Sequence, residues 1–381
     1  MSSKLGFKLL SALILSLMSM LAGAKEANER FKGFYESEWG QTQTCRETAL
    51  NKFGVCSNVL RNEGNAPFIL HNKNSEKVAV LVHGLSDSPF FMRAIAQVLF
   101  EEGFSVVVPL LPGHGLREAD DDMSDWDLAE RWQAHVDDVI SLAGTMGDTL
   151  VVGGFSTGGA LAVDNYLTKE NNIDGLMLFS GALALSDNAE GMSRIWGIKL
   201  LAKIVDGTYE THGPNPYKYP NVAGFAGLEL MDIINDIRDV MDASNNAEDS
   251  FDGSTFEKNS AEKNSSDKNS SDKNSSDKNS SGAKKHIDIP VFAAHSQADS
   301  TTPIYGVENL IAQSKGINTF FVIDESYKLC HADLVVNAAL LAKMDFNANM
   351  VNQQEECAIP KANPLFPTMK LMLVDYLTNF K

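Results

Sequence analysis

Short apolar runs recur along the chain, and stretches of helical periodicity separate them. Six such runs lie at 78–82, 105–110, 149–153, 175–179, 290–294 and 319–323. Nearly uninterrupted apolar runs are typical of strands that are buried on both faces, as in a parallel sheet. The pattern therefore predicts six strands in the interior of one sheet.

Between these runs, apolar residues follow a helical spacing. One stripe comes after Asp87-Ser88-Pro89, a sequence typical of a helix start. The two clearest stripes are Ala94, Val98, Leu99 and Phe100, and then Leu128, Trp132, Val136, Val139 and Ile140. Alternating strands and helices predict an α/β domain with a mostly parallel, doubly wound sheet.

The alternation is interrupted at 182–243, where apolar residues at helical spacing continue without a strand. They are Ile195-Trp196, Leu200-Leu201 and Ile204-Val205, and later Leu230, Ile233, Ile234 and Ile237. We interpret this segment as a helical cap inserted over the sheet, followed by a return helix. Ordinary crossover helices are the alternative, and they account only for the later part.

A second interruption, Glu257 to Ser281, repeats five residues five times: EKNSA, EKNSS and then DKNSS. Its acids and lysines cancel, and Ala261 is its only apolar residue, so it has nothing to bury. We predict a disordered surface linker, whose deletion leaves activity and melting temperature nearly unchanged. Binding of a partner or a cell-wall polymer is the alternative.

The N-terminus resembles a secretory signal. Lys4 and Lys8 precede a mostly apolar stretch from Leu9 to Leu21, and Ala22-Gly23-Ala24 offers a cleavage site. The stretch is short for a membrane span, and no cysteine follows it for lipoprotein processing. We predict a signal peptide over 1–24, export to the periplasm or beyond, and no stable membrane anchor after cleavage. An uncleaved anchor is the alternative.

The predicted export would place the four cysteines in a compartment where disulfides form. Cys45, Cys56, Cys330 and Cys357 form an even set in an oxidising compartment, which predicts two disulfides with three possible pairings. We favour the local pairing, Cys45 with Cys56 and Cys330 with Cys357, over four buried thiols. The sequence contains no C-x-x-C motif, so it does not suggest a structural zinc site.

Composition and charge narrow the function classes. The 381 residues are 44% hydrophobic, which suits one large α/β domain with insertions or two smaller ones. The formal net charge of −18 at pH 7 repels phosphate groups. Nucleic acid is therefore not an expected partner, and an anionic membrane is a poor one.

Residues Gly154 to Gly158 read G-x-S-x-G between the strand at 149–153 and a helix start. In that setting Ser156 is a candidate nucleophile on a sharp strand-to-helix turn. Because three fixed small residues also match by chance, the motif needs partners elsewhere. A serine hydroxyl requires a base, and the base requires a third group that orients it.

Polar residues after the last two predicted strands supply these partners. His331 follows the final strand and is the expected base, and Asp299 follows the strand at 290–294 and is the expected acid. Asp324 is the rival acid, whereas Asp333 is too close to His331 in sequence to orient it. Backbone amides at Leu85 and Thr157 are the expected oxyanion-hole donors.

These residues resemble the serine α/β-hydrolases, in particular the monoacylglycerol lipase and carboxylesterase group with its serine aminopeptidase-like members. The matching pieces lie at 81–85, 109–115 and 154–158, together with Asp299 and His331. The resemblance implies the α/β-hydrolase fold with an inserted helical cap over an acyl pocket. It also implies hydrolysis of acyl esters without a cofactor or metal, and structural roles for His83 and His114.

The expected function is therefore an exported serine hydrolase that cleaves a small acyl ester or lipid. A peptidase, an amidase or an acyltransferase could use the same triad, and an inactive binding protein on this fold is the alternative of another class. The predicted domains are the signal at 1–24, a core in two parts at 25–181 and 286–381, the cap with its return helix at 182–245, and the linker at 246–285.

Overall fold

The computed structural model describes residues 23–46, 51–73, 75–195, 197–205, 208–249 and 286–380. Residues 1–22 of the predicted signal peptide, Trp196 of the predicted cap and the entire repeat at 257–281 lie outside these ranges. The division into core, cap and linker domains stays a prediction.

Nine strands within the described ranges form one mixed sheet, in the order β1-β2-β3-β5-β4-β6-β7-β8-β9. They are β1 (Gln43–Thr44), β2 (Lys52–Cys56), β3 (Phe68–Leu70), β4 (Lys77–Val82), β5 (Ser105–Val108), β6 (Thr149–Phe155), β7 (Gly175–Phe179), β8 (Val291–Ser296) and β9 (Asn318–Ile323). Strands β4 to β9 pair in parallel, and β1 to β3 add an antiparallel edge. All six predicted strands form, but β9 is an edge strand that is only partly buried, so the prediction of an interior position is wrong for this last strand.

Helices cover both faces of the sheet. They are α1 (23–39), α2 (Pro89–Glu101), α3 (Asp120–Met123), α4 (Leu128–Ala143), α5 (Thr157–Thr168), α6 (Asp187–Ser193), α7 (Ile198–Val205), α8 (Gly224–Asp249), α9 (Tyr305–Gln313), α10 (Ala338–Leu341) and α11 (Phe366–Leu377). None of the helices in the described ranges is both long enough and apolar enough to span a bilayer.

Strand β4 shows how the two faces are built. Val78, Val80 and Val82 point into a core that α1, α4, α5 and α8 complete. Ala79 and Leu81 point into a second core with α2 and α11. This alternation follows from the two-residue period of a strand, and it confirms the predicted doubly wound α/β architecture.

Two parts of the fold were not predicted. Helix α1 packs Phe31 and Tyr35 into the first core, and the Tyr35 hydroxyl accepts a hydrogen bond from the Leu110 amide at 3.0 Å. Strands β1 to β3 extend the sheet beyond β5. Both lie before the first predicted strand, where the sequence shows no long apolar run, and α1 begins at residues 23–24 of the predicted signal.

The two halves of the predicted cap segment differ. Helix α8 buries Leu230, Ile233 and Ile234 against the core helices. Helix α7 has no buried residue, and Leu200, Leu201, Ile204 and Val205 are 54–70% exposed. Its Lys199 instead contacts Glu229 at 2.7 Å and also Asp232, so the polar side of α7 faces the protein.

Both cysteine pairs form disulfides in the favoured local pairing. Cys45–Cys56 links the residue after β1 to the end of β2, and Cys330–Cys357 joins residues 27 apart near the C-terminal end of the chain. No free cysteine remains among the described residues.

Candidate active site

Ser156 lies alone between the end of β6 and the start of α5, with φ of 53° and ψ of −117°. A non-glycine residue in this conformation is strained, so its surroundings must hold it. Its amide donates to the Phe179 carbonyl at 3.0 Å, and its carbonyl accepts from the Ala182 amide at 3.0 Å. The end of β7 thus fixes the backbone of the turn.

Glycines allow this turn to pack against β4. A Cβ atom at either Gly154 or Gly158 would lie inside contact distance of the Val82 carbonyl oxygen. Only glycine permits such a close backbone approach. The G-x-S-x-G pattern therefore has a steric reason at both of its glycines, and Ser156 is held at the carboxyl edge of the parallel sheet.

Asp299 and His331 meet at the same edge. The His331 Nδ1 atom lies 2.6 Å from Asp299 Oδ2. The other carboxylate oxygen, Oδ1, accepts from the amides of Thr301 at 2.9 Å and Thr302 at 3.1 Å. Asp299 follows β8, and His331 begins a short 3-10 helix, His331–Val335.

The Asp299 carboxylate is buried but charged. Burial alone would raise the pKa of this carboxyl, but the charge and hydrogen bond of His331, the charge of His295 and the Thr302 amide together lower that pKa to about 2. Asp299 is therefore ionised at neutral pH and can stabilise a protonated imidazole.

The base candidate lies beside the serine turn. The His331 ring packs on Phe155, the residue before Ser156, with 4.7 Å between ring centroids. Ser156 is 6% exposed, and within the described residues its hydroxyl forms no hydrogen bond to His331. Such bonds are often long in ligand-free enzymes and tighten when substrate binds. The Ser156–His331 hydrogen bond thus stays a prediction.

The rival carboxylates have other partners. Exposed Asp324 caps a short 3-10 helix by accepting from the Ser326 amide at 2.9 Å. Asp333 accepts from the Lys361 amide at 2.9 Å. Neither aspartate hydrogen-bonds His331 in the described part of the chain, whereas Asp299 does.

The turn after β4 is arranged around His83. The His83 Nδ1 atom donates to the Gly84 carbonyl at 2.8 Å, and Nε2 accepts from the Leu111 amide at 3.1 Å. Burial lowers the pKa of His83 to about 4, so the ring is neutral. Neither the Leu85 amide nor the Thr157 amide is a donor in the backbone hydrogen bonds of the described turns and loops, and their role as oxyanion-hole donors stays a prediction.

Two residues near the site were not predicted from sequence. The Thr302 hydroxyl lies 3.1 Å from Asp299 Oδ2 and 3.2 Å from His331 Nδ1. The Ser180 carbonyl, just after β7, lies 3.3 Å from the same hydroxyl. Only the position of Thr302, three residues after the acid, could have drawn attention to it.

In the ranges that the structure describes, no group of three or more His, Cys, Asp and Glu side chains could hold a metal ion.

Comparison with known proteins agrees with this architecture. The model of the alpha/beta hydrolase family matches residues 79–250. A thermostable monoacylglycerol lipase from Bacillus sp. (strain H-257) is 29% identical over 131 residues, which are 34% of this chain and 50% of that protein. The chain thus matches only half the length of this relative.

A solved structure extends the match in fold. A soluble variant of monoglyceride lipase from Saccharomyces cerevisiae, in complex with a substrate analog, is 12% identical, with a TM-score of 0.50. The alignment covers 89% of this chain and 94% of that one.

The sheet and these matches together define the fold: the chain has the α/β-hydrolase fold. The relative and the solved structure that it resembles are, by name, a monoacylglycerol lipase and a monoglyceride lipase.

Proposed function

We propose that this α/β hydrolase cleaves carboxylic acyl esters through an acyl-enzyme formed on Ser156. The observation that carries the proposal is the 2.6 Å contact between His331 and the ionised, buried Asp299, beside the strained turn that holds Ser156. The similarity to a monoacylglycerol lipase agrees with it.

In the proposed reaction, Ser156 Oγ attacks the ester carbonyl while His331 Nε2 takes its proton. The Nδ1 atom of His331 is occupied by Asp299, so Nε2 is the nitrogen left for the serine. The proton then passes from Nε2 to the leaving alkoxide, which departs as an alcohol. Water attacks the acyl-serine with His331 as base again, and the acid is released.

The negative oxygen of each tetrahedral intermediate is stabilised by the amides of Leu85 and Thr157. These amides follow the adjacent strands β4 and β6, so both lie at the carboxyl edge of the sheet. The loss of one such donor typically slows a hydrolase by roughly 100- to 1000-fold.

The proposed setting is outside the cytoplasm, because a signal-like N-terminus precedes a chain with two disulfides. The proposed substrate is a small acyl ester or lipid. A peptidase, amidase or acyltransferase reaction remains an alternative outcome because the same three side chains could serve it, and an inactive binding protein is the alternative without catalysis.

Labelling with a fluorophosphonate probe tests the nucleophile. The wild-type protein should label, and Ser156→Ala should not. Ser141→Ala, an exposed serine on helix α4, is the matched control and should label normally. A well-folded wild-type protein that neither labels nor hydrolyses any ester would contradict the proposal and favour the binding-protein alternative.

A substrate panel separates the enzyme alternatives. It consists of p-nitrophenyl esters of increasing chain length, aminoacyl amides, and an ester offered with glycerol as acceptor. We expect the highest kcat/KM on an ester with water as acceptor. Faster amide cleavage would indicate a peptidase, and acylated glycerol as the main product would indicate a transferase.

A further inference from the structure

Thr302 lies where the acid, the base and the loop after β7 meet. Its side chain is 1% exposed, and its hydroxyl is within 3.3 Å of Asp299 Oδ2, His331 Nδ1 and the Ser180 carbonyl. No other hydroxyl among the described residues contacts both members of the Asp299–His331 pair.

The hydrogen-bond inventory restricts what this hydroxyl can do. It has one proton to donate and lone pairs to accept with. The shortest contact, 2.6 Å, assigns the Nδ1 proton of His331 mainly to Asp299. The Thr302 hydroxyl can then donate to Asp299 Oδ2 or to the Ser180 carbonyl, and it can accept a minor share of the Nδ1 proton.

The backbone of Thr302 holds the side chain in place. Its amide donates to Asp299 Oδ1 at 3.1 Å, and its carbonyl lies 2.7 Å from the Nε2 atom of buried His295. The amide of Thr302 is therefore held by Asp299 and its carbonyl by His295 in β8, so the hydroxyl has little freedom to turn away.

These contacts also link the base to the nucleophile. The Thr302 hydroxyl reaches the Ser180 carbonyl, and two residues later the Ala182 amide donates to the Ser156 carbonyl at 3.0 Å. A short path thus runs from His331 to the Thr302 hydroxyl, then along the backbone of residues 180–182, and ends at the carbonyl of Ser156.

We propose that Thr302 is a positioning residue for His331, holding the imidazole on Asp299 and in register with Ser156. This inference rests on the proposed function. Thr302 does not touch substrate, and it acts through the acid and the base.

If Thr302 only supported the fold, replacing it would not change the electrostatic environment of His331. The titratable groups near the imidazole of His331 are Asp299 and His295 at the end of β8. Glu308 on helix α9 in turn influences His295 electrostatically. Where the Thr302 hydroxyl donates to Asp299 Oδ2, its removal takes one hydrogen bond away from the carboxylate. The protonated imidazole then becomes more stable, and the acid limb of the pH–rate profile moves to higher pH.

The test compares three variants by kcat, KM and the pH dependence of kcat/KM. T302V removes the hydroxyl at nearly constant shape, T302S keeps it, and T44V makes the same exchange at an exposed threonine of β1 as a matched control. We expect T302V to lose about 10-fold in kcat with little change in KM, as for one lost hydrogen bond. Its acid limb should rise by a few tenths of a pH unit, whereas T302S and T44V should stay close to wild type.

A second measurement does not need turnover. The downfield proton resonance of His331 Nδ1–H, assigned by its absence in His331→Gln, should shift in T302V and exchange faster with solvent. If T302V does not fold, T302A removes the same hydroxyl without added bulk.

The outcomes separate the two proposals. An inactive, unlabelled wild-type protein refutes the proposed function, and the proton resonance still tests the contact. An active wild type with a T302V variant of unchanged kcat and acid limb overturns the role of Thr302. A T302S variant as slow as T302V would also overturn it, because the hydroxyl would then not be the group that matters.

Discussion

Three serines with positive φ mark the carboxyl edge of the sheet. Ser86, Ser156 and Ser180 have φ of 79°, 53° and 45°, and they follow strands β4, β6 and β7. Each such conformation costs about 1–3 kcal/mol and persists only when its surroundings enforce it. That strain gathers where the chain must turn sharply at the end of a central strand, which is also where the reactive groups lie.

The strain at Ser156 leads to a stability prediction. Ser156→Gly and Ser156→Ala both remove the hydroxyl, but only glycine accepts the turn's dihedral angles without cost. We expect the glycine variant to be the more stable of the two by about 1 kcal/mol. Differential scanning calorimetry of the pair measures this, and equal melting temperatures would mean that the turn is not strained.

The choice of acid leads to a second prediction. Asp299→Asn should lower kcat by a factor on the order of 1000 or more, since the imidazole loses both its orientation and its counter-charge. Asp324→Asn keeps the side-chain oxygen that caps a short 3-10 helix and removes only an exposed charge, so it should leave kcat near wild type. Steady-state kinetics with an ester substrate decide the matter, and the reverse ranking would make Asp324 the acid.

Much of the candidate site was accessible from sequence because it lies at strand ends. Asp299 and His331 each follow an apolar run, so their convergence at one edge followed from parallel pairing. Thr302 was not accessible, because its importance depends on a carbonyl 122 positions away along the chain. Contacts between loops of different strands leave no periodic pattern for a reader of the sequence.

At the scale of elements, helix α5 is the most enclosed of the longer helices within the described ranges. It contacts β6 along its length and packs between α4 and α8, and even its polar Asp164 is buried. Burial raises the pKa of Asp164 to about 6 against the hydrogen bond from Gln133, and Asp236 adds to the rise. The close packing of α5 therefore makes ionisation of the Asp164 side chain unfavourable.

That carboxylate makes stability depend on pH. A folded pKa raised to about 6 favours the protonated folded state, so the stability gained below about pH 4 is lost as the pH rises through 6. We expect Asp164→Asn to stabilise the protein on the order of 1–3 kcal/mol at pH 8. The gain should vanish near pH 4.

Chemical denaturation at both pH values measures this effect. Asp138→Asn, an exposed acid on helix α4, is the control and should change little at either pH. A destabilised Asp164→Asn variant at pH 8 would show that the hydrogen bond from Gln133 outweighs the burial.

Elements differed in how well sequence predicted them. The central strands were predicted because burial on both faces leaves uninterrupted apolar runs. Strands β1 to β3 are short and depend on pairing with remote partners, such as Phe68 with Val108. Helix α7 was predicted as a helix, but the apolar side of α7 faces outward because Lys199 pairs with acids on α8.

At the scale of the whole molecule, covalent links supplement the packed core. Cys330–Cys357 closes a 27-residue separation, and Cys330 directly precedes His331. Cys45–Cys56 lies at the opposite edge of the sheet, beside β2. The Cys330–Cys357 bond therefore lies next to the candidate site, whereas the Cys45–Cys56 bond lies at the other edge of the sheet.

This arrangement predicts a separation of activity from stability. Removing either bridge by paired cysteine-to-serine substitutions should cost about 2–4 kcal/mol of stability. Loss of Cys330–Cys357 should also lower kcat about 10-fold or more, because His331 loses a neighbouring anchor. Loss of Cys45–Cys56 should spare kcat, and equal effects of both pairs on kcat would contradict this assignment.

The local pairing of the cysteines also bears on how an exported chain would be made. A chain that crosses a membrane from its N-terminus presents Cys45 and Cys56 together, and only much later Cys330 and Cys357. Each thiol therefore meets its correct partner before any wrong one is available. An oxidase that joins cysteines in their order of arrival is sufficient, and no isomerase is needed to correct the pairing.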